Sequence, residues 1–142
     1  MTRHRVLILC THNSARSQMA EGFLRALAGD RVEVASAGTE ATQVHPLAIR
    51  AMDEVGIDLL GHTSKTLDRF LGEPWDFVVT VCDRAGERCP LFPGPARRVH
   101  WSFEDPSAAA GDEAERLRAF RRVRDQIAER LRAWLAAEPS AV

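Results

Sequence analysis

Cys10 and Arg16 are separated by Thr11, His12, Asn13, Ser14 and Ala15, and Ser17 follows directly. The apolar run Val6–Leu9 leads into the cysteine, and a helical pattern opens at Ser17. A short polar loop that feeds a helix N-terminus turns several backbone N–H groups toward one point. The helix dipole adds roughly half a positive charge there. Arg16 brings a guanidinium that grips two anion oxygens in a fork, which an ammonium does not. The stretch Thr11, His12, Asn13, Ser14, Ala15, Arg16 and Ser17 is therefore expected to seat a tetrahedral oxyanion. The same field acts on the sulfur beneath it. A free thiol titrates near ~8.5, and helix N-termini with nearby cations lower that by one to several units. Cys10 is thus a candidate nucleophile, ionised by the site that holds its target. An isolated cysteine at a strand end would be an ordinary buried residue. The agreement of strand, spacing, loop composition and helix sets Cys10 apart.

Two further cysteines and a carboxylate extend the chemistry. Cys82 follows directly on the apolar run Asp76–Val81, and Cys89 comes seven residues later. Seven helical residues rise ~10 Å, whereas a disulfide requires Cα atoms about 4.4–6.8 Å apart. Gly86 within the segment and Pro90 beyond it weaken a helix, so unwinding is cheap. The pair reads as a switchable dithiol rather than a structural bridge. Ordinary core and loop thiols, or half of a zinc site, are the alternatives. Zinc sites usually pair cysteines about two to four residues apart, and no second close pair exists. Asp105 precedes Pro106, which pushes it toward extended backbone and can aim it inward from a stiff loop. A carboxylic acid there would protonate an oxygen leaving an oxyanion. A solvated loop aspartate is the bland alternative, and Glu104 next door dilutes the signal.

The elements that must position these groups follow from periodicity. Residues 142 in number make one domain, 1–142, large enough to bury about two-thirds of its unfolded surface. With 45% hydrophobic and 27% charged residues the composition is that of an ordinary globular protein. A net charge of −1 gives no basic field for nucleic acid or an anionic membrane. The N-terminal apolar run is too short for a signal peptide or a membrane span, so a cytoplasmic protein is expected. Stable disulfides are rare in that compartment, so three cysteines suggest chemistry.

Strands are expected at Val6–Leu9, Val32–Ser36, Asp76–Val81 and Arg98–Phe103. Helices are expected from Ser17 to about Ala28, from Pro46 to Gly56 with Ala48, Ala51, Met52 and Val55 inward, and from about Asp112 to Ala137. The long last helix carries Leu117, Phe120, Val123, Ile127, Leu131 and Trp134 at steps of three and four. Alternating strands and helices predict an α/β fold, a four-stranded parallel sheet with helices on both faces. Ligands in such sheets bind beyond the carboxyl ends of the strands, where Cys10, Cys82 and Asp105 all emerge.

These residues resemble the low-molecular-weight tyrosine phosphatase superfamily, marked by Cys-x5-Arg-Ser after the first strand. More closely, they are similar to the arsenate reductases of that superfamily that regenerate through thioredoxin. The resemblance runs almost end to end. It includes Gln18-Met19-Ala20-Glu21, Ser36-Ala37-Gly38-Thr39, Gly56-Ile57, His62-Thr63-Ser64-Lys65, Cys82, Cys89 and Asp105-Pro106. The loop names the superfamily, and the triad Cys10, Cys82 and Cys89 selects the reductase branch.

The resemblance implies that Cys10 attacks arsenate held by the loop amides and Arg16 while Asp105 protonates the leaving oxygen. Cys82 then attacks Cys10, and Cys89 attacks Cys82, leaving a Cys82–Cys89 disulfide for thioredoxin. Phosphate or sulfate would act as analogues of arsenate. Asn13, Ser17, Glu21, Ser36 and Lys65 would support the loop, and no cofactor is implied. Some relatives bind potassium through positions matching Asn13, Glu21 and Ser36 plus an aspartate at position 65. Lys65 stands there in this chain, so its ammonium is expected to replace the cation, pairing with Glu21, with no bound metal. His12 stands where many relatives have glycine and is expected to face solvent, and Ala15 where many have cysteine. A monomer is expected, with no nucleic-acid or membrane partner.

Two other readings remain. A phosphatase acting on phosphotyrosine or small phosphate esters needs the same loop and acid. It has no use for Cys82 and Cys89, and this chain has no tyrosine to line a phenyl pocket, offering Ser107-Ala108-Ala109 instead. An arsenite- or metal-sensing module built on three soft thiolates would need a partner-binding surface. The arginines of the last helix alternate with acids and read as a solvated face.

Overall fold

The computed structural model describes residues 4–83 and 90–137. Strand β1 (His4–Cys10) is unbroken Val, Leu and Ile at its centre, the composition of a strand covered on both faces. It pairs in parallel with β2 (Val32–Gly38) on one side and β3 (Phe77–Thr80) on the other, and β4 (Arg97–His100) completes the sheet in the order β2-β1-β3-β4. The chain leaves β1 toward β2 and later returns to its other side. The carboxyl ends of β1 and β3 therefore flank the point where strand order reverses, the usual ligand crevice of an open α/β sheet.

Helices α1 (Arg16–Ala28), α2 (Pro46–Asp53) and α3 (Glu113–Ala137) share one buried cluster with Val6, Ile8 and Cys10 of β1. The other face, with Leu7 and Leu9, is covered by the short 3₁₀ turn Leu67–Phe70 together with Trp75 and Phe92. It carries less helix than the first. Gly29, with φ 57°, ends α1 in a backbone region that side chains disfavour. All six apolar positions expected on α3 are buried. Among the described residues no helix is long and apolar enough to cross a membrane.

Three expectations are corrected. Strand β4 ends at His100; the Trp101 N–H still donates to the Thr80 carbonyl (2.9 Å), and the Trp101 and Phe103 side chains join the cluster that holds α3. Strand β2 runs on to Gly38, beyond Ser36. Val55 lies past the end of α2 and is 44% exposed, since the chain already turns toward Gly56. The residues between Asp83 and Pro90, which include Cys89 of the expected switchable pair, lie outside the described residues.

One buried charge ties the helices together. Arg124 reaches from α3 to the Ala51 carbonyl (2.9 Å) and to Glu54 (2.8 Å), closing the C-terminal end of α2. Glu54 also receives Arg121, and the hydrogen bonds from these guanidiniums lower its carboxyl from 4.5 to about 2. The folded state thus releases a proton that the unfolded chain keeps. The stabilisation is complete above about pH 5 and disappears as pH falls toward 2. Replacing Glu54 by Gln should lower Tm by a few degrees at pH 7, and the gap from the parent should close on acid titration. The end of β2 is equally constrained: a Cβ on Gly38 would lie 2.8 Å from the Asn13 nitrogen and 2.8 Å from the Thr11 oxygen, both backbone. Gly38→Ala should cost about 1–3 kcal/mol in urea unfolding. It should also weaken the protection of Cys10 from alkylation by phosphate.

Candidate active site

Cys10 closes β1, and the loop after it runs to the N-terminus of α1. Ala15 at the N-cap supplies no capping side chain, so the first-turn amides face the loop. The loop turns at Asn13, whose φ of 48° makes it the one non-glycine residue in the left-handed region among the described residues. Asparagine tolerates that region better than most. Cys10 is buried and is a free thiol. A small cavity of about 10 Å³ opens above it, with room for roughly one water-sized sphere. Its walls are Cys10, His12, Ser14, Ala15, Arg16, Asp105 and Ser107.

The Cys10 sulfur lies 2.9 Å from Ser17 Oγ. Ser17 Oγ also accepts from Asn13 Nδ2 (2.8 Å), and its own proton remains available to a Cys10 thiolate. The other Nδ2 hydrogen goes to Ser36 Oγ (2.9 Å), and Ser36 donates to Glu21 (2.6 Å). Asn13 Oδ1 accepts from Gln18 Nε2 (3.0 Å) and from the Lys65 backbone N–H (2.8 Å). A hydrogen-bonded chain therefore runs from a buried carboxylate to the candidate nucleophile.

Arg16 is buried, donates to the Phe103 carbonyl (3.1 Å) and has Nη2 3.8 Å from Asp105 Oδ2. Asp105 holds the extended backbone expected before proline, φ −81° and ψ 108°. Its Oδ1 accepts from the Ser107 N–H (3.0 Å) and hydroxyl (2.7 Å), leaving Oδ2 toward the guanidinium. Cys10, Arg16 and Asp105 thus line one cavity. Cys82 lies two residues beyond β3, fully buried in the same cluster as Cys10, and is disulfide-bonded. Cys89 lies outside the described residues.

The support around Glu21 differs from expectation. Glu21 pairs with Arg25 (2.8 Å) and lies 3.5 Å from His62 Nδ1. The Lys65 ammonium instead donates to the Thr63 carbonyl (2.6 Å) and influences Glu21 only through space, while its burial lowers its pKa. One turn of helix puts Arg25 on the Glu21 carboxylate, so the shorter route wins. Lys65 supports the loop through its backbone N–H.

Asn13, Ser36 and Glu21 already satisfy one another, and position 65 adds a cation, so this set does not suit a bound alkali ion. Among the described residues no three His, Cys, Asp or Glu side chains converge on a metal position. Gln18 and His62, which the sequence places only within matching motifs and gives no role, belong to the network. His62 Nδ1 meets Gln18 Oε1 at 3.0 Å, and burial lowers the ring's pKa and keeps it neutral. A glutamine in the first turn of an otherwise buried helix is the only signal the sequence offered. Ser107, the partner of Asp105, is also legible only once the loop is folded.

The model of the low molecular weight phosphotyrosine protein phosphatase family matches residues 5–140. An arsenate reductase of Halalkalibacterium halodurans is 46% identical over 134 residues, covering 94% of this chain and 96% of that protein. A solved arsenate reductase in its phosphate-binding state aligns with a TM-score of 0.78 and 36% identity, over 94% of this chain and 98% of that one. The thioredoxin-dependent arsenate reductase of Corynebacterium glutamicum aligns with a TM-score of 0.66 and 28% identity, over 95% of this chain and 63% of that one. With the oxyanion loop, the sheet order and a match over nearly its whole length, this chain belongs to the low molecular weight phosphotyrosine protein phosphatase family.

Proposed function

We propose that this chain reduces arsenate to arsenite by a three-cysteine relay that thioredoxin resets. The observation that carries the reading is the pairing of Cys10 with a second buried cysteine, Cys82, in the same cluster, just beyond the neighbouring strand. A phosphatase needs only the first. The names of the similar proteins, arsenate reductases and one thioredoxin-dependent, point the same way.

In this reading the loop amides and Arg16 hold arsenate with its arsenic above the Cys10 sulfur. The Cys10 thiolate, stabilised by the Ser17 hydroxyl, forms an S–As bond, and Asp105 protonates the displaced oxygen, which leaves as water. The Cys82 thiolate then attacks the Cys10 sulfur. The S–As bond breaks with its electron pair left on arsenic, so As(V) becomes As(III) and a Cys10–Cys82 disulfide forms. Cys89 attacks Cys82 and frees the Cys10 thiolate, and the dithiol of thioredoxin reduces the Cys82–Cys89 disulfide.

Hydrolysis of small phosphate esters is the second reading, since it needs the same thiolate, arginine and acid around one cavity. The cleft beside Asp105 offers Ala108, Ala109, Asp83 and Glu104 and no aromatic ring. Arsenate turnover with thioredoxin, set against p-nitrophenyl phosphate hydrolysis, separates the two.

Single-turnover reduction by cysteine variants tests the relay. Cys10→Ser should release no arsenite, and Cys82→Ser should stop at the arsenic adduct. Cys89→Ser should give one turnover and stall as a Cys10–Cys82 disulfide, visible by mass spectrometry. Sustained turnover of Cys89→Ser with thioredoxin would refute the scheme. Asp105→Asn should slow the first step by about 10²–10⁴-fold with little change in phosphate binding. Asn13→Ala strands several buried partners, each worth about 1–3 kcal/mol. Its denaturation midpoint should drop and phosphate should no longer shield Cys10 from iodoacetamide.

A further inference from the structure

We propose that His12, held in place by Glu40, is a specificity-determining residue that closes the oxyanion cavity to phosphate monoesters. The inference rests on the loop being an oxyanion site, and does not depend on the cysteine relay. Attack by Cys10 from below sends the departing group out through the mouth of the cavity, past Asp105. For an inorganic oxyanion that group is a single oxygen. For an ester it is an oxygen carrying carbon, and the carbon must fit between position 12 and the Asp105–Ser107 turn.

His12 is fixed at both ends on that rim. Its carbonyl accepts from Ser64 Oγ (3.1 Å) and Thr42 Oγ1 (3.5 Å), which anchors the backbone. Its Nε2 lies 3.4 Å from a Glu40 carboxylate oxygen, and the Glu40 N–H donates to the Thr11 carbonyl (3.0 Å). The imidazole is 46% exposed, and His12 is one of the residues that line the cavity. Opposite it, the Ser107 hydroxyl is committed to Asp105, which stiffens the facing wall. His12 and Ser107 line the same small cavity as Cys10 and Arg16. Beyond the rim, Asp83, Glu104, Ala108, Ala109 and Arg122 line the adjoining cleft, and Arg122 pairs with Glu104 (2.8 Å). An organic group leaving this way has to pass His12 and then finds no aromatic face to stack on. Steric exclusion is a common way to reject one substrate while keeping another.

The test measures kcat/KM for p-nitrophenyl phosphate and the inhibition constant of inorganic phosphate in the parent, His12→Ala and Glu40→Ala proteins. The product of the two numbers compares ester turnover with oxyanion affinity and cancels general loosening of the loop. It should rise about five- to ten-fold in His12→Ala and by a smaller factor in Glu40→Ala, where the ring loses its tether. A product that stays flat or falls in both variants overturns the proposal. Should His12→Ala bind phosphate too weakly to measure, Glu40→Ala decides, because it leaves the loop's own residues intact. A parent protein that phosphate does not inhibit sinks the oxyanion site and this proposal together. A failed relay with a raised product leaves the role of His12 standing.

Discussion

The active-site loop keeps its shape because one side chain, Asn13, uses all of its hydrogen-bonding capacity inside the protein. A left-handed backbone at a non-glycine residue costs about 1–2 kcal/mol. Asn13 offsets that with two donated and two accepted side-chain bonds, each worth about 1 kcal/mol net and more when broken in a dry site. Those four bonds fasten the loop to α1, to β2 and to the strand-like segment at Lys65. The backbone of the loop is therefore fixed by side-chain hydrogen bonds from three directions. Gly38 completes the constraint, because the backbone of the turn sits where any side chain would be.

Topology supplies the rest of the convergence. Parallel strands deliver their carboxyl ends to a single edge. Reversal of strand order between β1 and β3 opens a crevice there. Cys10 arrives on β1, Cys82 just beyond β3, and Asp105 on the loop after β4. Three groups distant in sequence thus become neighbours without any one element being strained to reach. The Asp105 turn is itself a small capped unit, with Pro106 and Ser107 fixing which carboxylate oxygen faces Arg16.

Much of this was legible in the chain because it depends on local rules. Buried strands show as apolar runs, α3 shows its stripe, and Cys10 to Arg16 has a spacing with one strong chemical meaning. What was not legible depends on packing across the fold. Nothing local shows that Arg124, one arginine among many on α3, is the one turned inward to close α2. Val55 fits the helical period and yet lies outside the helix, because Asp53 ends it. Lys65 was matched to Glu21 by charge, whereas geometry assigned Arg25 to that carboxylate. Charge pairing read from sequence overlooks that a neighbour one helical turn away reaches first.

That assignment matters for the electrostatics of the site. A buried carboxylate beneath an oxyanion pocket opposes binding: at an effective dielectric near 20, unit charges ~10 Å apart interact by roughly 1.7 kcal/mol, more than ten-fold in affinity. Glu21 is nevertheless kept, because Ser36 needs its oxygen in order to present a lone pair to Asn13. The opposing field is cancelled locally by the Arg25 guanidinium, with the half-buried Lys65 ammonium adding to it from farther off. His62 stays neutral and contributes its Nδ1 proton to Gln18 instead of charge to the cluster. The protein thus carries its own covalent counter-cations under the loop. The hydrogen-bonded chain from Glu21 to Cys10 is carried by Ser36, Asn13 and Ser17.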